Sequence, residues 1–235
     1  MRRSLPFLLS AALLIGAAVP AASPVIAQAK KATTPDARFT DLSKRYIDSI
    51  ARFSPVYGTQ LGDHRFDDRL PDITAAGRAR QAAFERGLLA ELGRINIKSL
   101  SRDNQVDALM LRNQLQYDLW DLEVLKSWSW NAQSYNDNAA GALYNLAARD
   151  FAPWPNRLKA ATARMEGLPA FLLETRKQLV AAKVPEIYAT QVSKQNSGIV
   201  EVAQDMLAPH ANELGAKDKA GFEAAYNKQS FTTAR

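Results

Sequence analysis

His64 and His210 are the chain's whole supply of imidazole, and their neighbours place neither for metal chemistry. A zinc-peptidase helix carries H-E-x-x-H: two imidazoles one turn apart reach the same ion while a glutamate activates water. Arg65 follows His64 and Ala211 follows His210, so neither begins that pattern. Both read as surface or hydrogen-bonded histidines. Cysteine is absent, which removes thiolate nucleophiles, Cys-ligated zinc, iron–sulfur clusters and disulfides. No G-x-S-x-G marks a nucleophile elbow, and neither G-x-x-x-x-G-K-[ST] nor G-x-G-x-x-G offers a phosphate cradle. These patterns assign no catalytic and no metal-ligating residue.

Two groups remain. Asp63, Asp67, Asp68 and Asp72 invite a calcium reading, but Arg65 and Arg69 between them suit a salt-bridged loop better. Trp128, Trp130, Asn131 and Tyr135 combine aromatic faces with an amide, a common make-up for a pocket wall. They stand as candidate cleft-lining residues, although such a cluster more often covers the end of a helix bundle.

The elements that must position these groups all read as helices. Thr34-Pro35-Asp36 offers an N-cap, a proline at the first helical position and an acid at the dipole's positive end. Phe39, Leu42, Tyr46, Ile50 and Phe53 then recur at helical spacing. Ser54-Pro55 stops that helix, and Val56 to Asp72 reads as a loop with at most one helical turn. A second helix is expected from about Thr74 to Ile95, with Ile73, Ala76, Phe84, Leu88 and Leu92 inward. A third starts at Ser101 and runs to about Lys126 with two apolar stripes. Val106, Leu109, Tyr117, Trp120 and Val124 form one; Leu111, Leu115, Leu119 and Leu122 form the other. Two stripes predict a central helix with neighbours on both sides.

Trp128 to Asn138 reads as a loop and Ala139 to Arg149 as a short helix. The stripe resumes at Pro155, and Pro169 predicts a kink or break near Gly167. Further helices are expected from Pro185 and over Asp218 to Tyr226. No segment alternates with a period of two, so the expected class is all-α, an irregular multi-helix bundle.

Composition agrees with one helical domain. The 235 residues carry a net charge of +6, and 47% are hydrophobic. That balance excludes a disordered acidic tail and a multi-pass membrane protein. Arg2 and Arg3 precede an apolar run from Leu5 to Val19, and Ala27-Gln28-Ala29 gives a small-x-small cleavage pattern. Together they describe a secretory signal peptide over 1–29, too short to span as the ~20 apolar residues of a membrane helix do. Residues 30–34 read as a linker and 35–235 as the helical domain, incomplete at its C-terminus. Cleavage would take Arg2 and Arg3 with it, leaving a mild positive surplus. Basic residues alternate with acids, so neither nucleic acid nor, after cleavage, a membrane is an expected partner.

Four segments carry a resemblance through their order and spacing: SPVYGTQLGDHRFDDRLPD from Ser54, LSRDNQVDALMLRNQL from Leu100, RDFAPWPNRLKAATARMEGLPAFL from Arg149, and QNSGIVEV from Gln195. The chain resembles the bacterial exported family called domain of unknown function 885. The family resembles helical zinc metallopeptidases, with an H-E-x-x-H-type helix and a further glutamate ligand in the C-terminal half of chains more than twice this long. None of those positions falls on this sequence. The resemblance therefore implies an N-terminal helical scaffold, or substrate-cleft lobe, silent as an enzyme by itself. Zinc and a peptide-like substrate are implied for the full-length context alone, and no cofactor for these residues. The competing expectation is a self-sufficient periplasmic helical binding or chaperone-like protein.

Overall fold

The structure, a computed structural model, describes residues 34–233, with side chains described as far as residue 228. The expected signal peptide over 1–29 and residues 30–33 of the expected linker lie outside the described residues. Among those described, every regular element is helical and no strand occurs.

α1 (Pro35–Phe53), α3 (Ala75–Gly93) and α4 (Arg102–Trp120) start where side chains can satisfy free amides. Thr34, Thr74 and Ser101 accept from the backbone N–H groups of Ala37, Gly77 and Asn104. Asp36 in the first turn of α1 also reaches across to α4. Its carboxylate accepts from Ser101 N at 3.0 Å and Asn104 Nδ2 at 2.6 Å. Those bonds, Asn104 first, lower its pKa. These three helices enclose one core of Phe39, Leu42, Leu88, Leu92, Ile95, Leu100, Ala108, Leu111 and Leu115.

α5 (Ala132–Ala147), α6 (Trp154–Gln178), α8 (Ser197–Val202) and α9 (Ala216–Thr233) enclose a second core. Leu143, Leu146, Leu158, Met165, Leu168 and Phe222 are among its most deeply buried members. α7 (Glu186–Gln195) packs on α5 from outside, where Gln195 accepts from Gln133 and Asn136. α2 (Pro55–Leu61) packs against both α1 and α5 and so joins the two halves.

The structure corrects several sequence expectations. Val56 to Asp72 is not mainly loop: α2 occupies its start, and a 3-10 turn follows at His64–Phe66. Pro55 stops α1 and also opens α2, because a first helical position needs no N–H. Asn131 caps α5 through Ser134 N, so Tyr135, Asn136 and Asn138 are helical rather than loop. α6 runs unbroken through Pro169. Most telling is α4. Leu111 and Leu115 are buried, whereas Val106, Leu109, Tyr117 and Trp120 on its other stripe are exposed, as is Val124 in the following π turn. α4 is therefore a flank helix among the described residues, not a central one.

Candidate functional site

Where α1, α2, α3 and α4 converge, a cavity of about 310 Å³ opens. Tyr46 and Ser49 reach it from α1, Tyr57 from α2, Gln81 and Glu85 from α3, and Gln114 and Asp118 from α4. Among the described residues no lysine, arginine or histidine lines it, although the chain as a whole is positive. The two acids are held alike. Gln81 donates to Glu85 Oε1 at 2.8 Å, and Gln114 donates to Asp118 Oδ1 at 2.8 Å, each four residues upstream on its own helix.

Glu85 is 5% exposed, and its second oxygen, Oε2, is buried without a hydrogen-bond partner. A buried carboxylate lacks the water that would stabilise its charge. Burial accordingly pushes the Glu85 pKa up to about 7, with the nearby Asp118 adding to the effect. Burial raises Asp118 as well. The Tyr46 phenol, desolvated and facing both acids, rises to about 12. A cleft of about 420 Å³ between α1 and α4 adjoins this cavity, sharing Tyr46 and Gln114 and adding Ile47 and Met110.

Arg164 of α6 is fully buried. Its guanidinium donates to the carbonyls of Arg69 at 3.1 Å, Ala142 at 2.9 Å and Pro55 at 3.4 Å, and to Thr59 Oγ1 at 2.7 Å. Thr59 has one hydroxyl proton and sends it to Asp67 Oδ1 at 2.6 Å, the shorter of its two acceptor contacts. The balancing carboxylate therefore stands one hydroxyl away from the guanidinium. Burial lowers the Arg164 pKa to about 10, while Asp67 and Asp68 act in the opposite sense. It remains charged at neutral pH, and it locks α2, α5, α6 and the turn after α2 together.

The aspartates of that turn each have their own partner. Asp63 pairs with Arg65, Asp68 with Arg69, and Asp72 with Arg80 and Thr74, while Asp67 takes Thr59 and His64. This is the salt-bridged loop expected from the interleaved arginines. His64 stacks on Phe151 and bonds Asp67 at 2.9 Å; His210 stacks on Trp154 and bonds Glu213 at 2.8 Å. The imidazoles thus sit in separate settings. Among the described residues no three histidine, aspartate or glutamate side chains gather as a metal site.

Trp128, Trp130, Asn131 and Tyr135 do come together, around the start of α5. Trp128 donates to Leu122 O, Trp130 to Leu125 O, and Tyr135 to Trp128 O at 2.6 Å. Arg78 lies over the Trp128 ring, Trp130 stacks on Tyr188, and Asn131 serves as a cap. Their polar atoms are spent on holding the π turn after α4 against α5, and none of the four lines the acidic cavity.

The sequence carries a signal for Glu85 and Asp118 that no motif contains. Glu85 stands three before Leu88 and seven before Leu92; Asp118 stands three after Leu115 and seven after Leu111. Each is an acid on the buried stripe of its helix, with a glutamine four positions earlier to receive it.

A model of the family described as "Bacterial protein of unknown function (DUF885)" matches residues 55–235. No curated protein matches the chain. Among solved structures it is similar to a protein of unknown function from Shewanella oneidensis, provisionally described as a lipoprotein. The two are 29% identical with a TM-score of 0.77, over 83% of this chain and 36% of that one. The chain thus spans little more than a third of that relative. No described helix is long and apolar enough to cross a membrane, and these 235 residues hold no cysteine that could carry a lipid.

Proposed function

The chain belongs to the DUF885 family of bacterial proteins of unknown function, and from that premise we propose that it forms the N-terminal helical lobe of a longer, exported, metallopeptidase-like protein. In that setting the lobe is one wall of a substrate cleft. It positions a peptide-like substrate by contact, and bond cleavage is housed elsewhere. The observation that carries the reading is the outer face of α4. Leu109 is 54% exposed and Val124 68%, with Val106, Met110, Tyr117 and Trp120 beside them. A row of exposed apolar side chains on one helix face marks an interaction surface. A relative of which this chain covers 36% has the additional length to cover it. The lipoprotein description of that relative supports export.

Zinc does not fit the residues at hand. Each imidazole is bonded to a single carboxylate, and among the described residues no third ligand stands near either. No step through a metal is therefore assigned to this lobe.

The test compares two proteins on a fluorogenic peptide library: this chain and the longer Shewanella oneidensis relative. Hydrolysis by the longer protein alone, lost with a chelator and restored by zinc, is the expected result. Chelator-sensitive hydrolysis by this chain in isolation would refute the lobe reading. Silence from both would remove the peptidase assignment. A second reading, a self-sufficient helical binding protein, is favoured by one observation: the acidic cavity is complete within residues 46–118.

A further inference from the structure

We propose that the cavity between α1, α2, α3 and α4 binds a primary ammonium group carried on an apolar stem, with Glu85 and Asp118 as its counter-ions. The cavity lies within this chain, so the proposal stands apart from the lobe reading. Three observations carry it. Glu85 is 95% withdrawn from solvent, yet Oε2 has no protein hydrogen-bond donor. Buried carboxylate oxygens are normally satisfied, and this one, unpartnered on a side chain that lines the cavity, is an acceptor awaiting a donor. A second carboxylate, Asp118, lines the same space, and no basic side chain lines it to neutralise either.

The chemistry narrows the ligand further. An anion would meet two acids and no cation, so it is excluded by like-charge repulsion and desolvation. A guanidinium binds best when both oxygens of one carboxylate accept its fork. Here Gln81 already occupies Glu85 Oε1 and Gln114 occupies Asp118 Oδ1. An ammonium suits single free oxygens on separate side chains, because its donors can diverge. The rest of the wall sets the apolar and aromatic Ile50, Phe53, Tyr46 and Tyr57 beside two serines, Ser49 and Ser54. It can cover a hydrocarbon stem and offer ring faces to the cation.

The probe is benzylammonium, titrated calorimetrically into the full chain, with benzyl alcohol as its uncharged counterpart and phenylacetate as an anion. Saturable binding of benzylammonium alone is expected. Its affinity should rise from pH 6 to pH 8 as Glu85 ionises; the other titratable groups on the wall are Tyr46 of α1, whose phenol is pushed up to about 12, Tyr57 of α2, and Asp118 of α4, raised by burial. Glu85→Gln, which keeps the shape and removes the charge, should weaken binding about tenfold, and Asp118→Asn should weaken it too. Equal affinity for benzyl alcohol, unchanged binding in E85Q, or no saturable heat with benzylammonium overturns the proposal. Should E85Q not fold, the carboxyl ¹³C shift of Glu85 in the unaltered chain gives the answer. Benzylammonium must lower the pH at which that signal titrates, and a stationary midpoint overturns the site.

Discussion

Arg164 takes a charge into a place without water, and the surrounding backbone compensates with three carbonyls and a hydroxyl. Lysine keeps the charge but not the planar fork, so it cannot satisfy acceptors arriving from four directions. Arg164→Lys should lower stability by about 3 kcal/mol or more, read by urea unfolding followed by circular dichroism; a loss under about 1 kcal/mol would show the network to be incidental. Glu85 makes the opposite demand. Its folded pKa, about 7, lies above the ordinary 4.5, so between those pH values the folded state holds more of this proton than the unfolded state. Stability from this group is complete below pH 4.5 and is lost as pH rises toward 7. The loss should be on the order of 1–3 kcal/mol, and Glu85→Gln should flatten that part of a pH series of unfolding midpoints. An unchanged slope would mean that Glu85 titrates normally.

Helices α1 and α2 meet at a corner that only glycine permits. A Cβ on Gly58 would stand 2.5 Å from Ala51 Cβ and 2.8 Å from Ala51 Cα, and neither backbone can retreat without displacing its helix. Gly58→Ala should therefore cost about 2 kcal/mol, within the range for overpacked cores, and the thermal midpoint reads it directly. A neutral result would show that α2 is free to slide. Element starts were legible because caps are local: Thr34, Thr74 and Ser101 each bond an amide three residues on. α2 was not legible, since a proline after serine reads equally as the end of one helix and the first turn of the next.

At the scale of the whole molecule, the exposed face of α4 is where the proposed lobe reading can be tested. Leu109, Tyr117 and Trp120, together with Val124 beyond the helix, leave apolar area in water, which a hydrophobic dye reports. The paired change Leu109→Glu and Val124→Glu should at least halve dye fluorescence while leaving the unfolding midpoint within the small range of surface substitutions, about ±0.5 kcal/mol. Unchanged fluorescence would place the dye elsewhere, and a large loss of stability would mean the face is packed within the chain.

The sequence by itself determined the helical class, the caps, the paired aspartates of the turn after α2 and the absence of a histidine pair one turn apart, because each depends on residues within a few positions of one another. Only the tertiary structure decided which stripe of α4 is buried, that Glu85 and Asp118 face one cavity from different helices, and that Arg164 reaches Thr59 from 105 positions away. Periodicity fixes that a helix has an apolar face; what that face meets depends on packing between distant segments, and no local spacing encodes it.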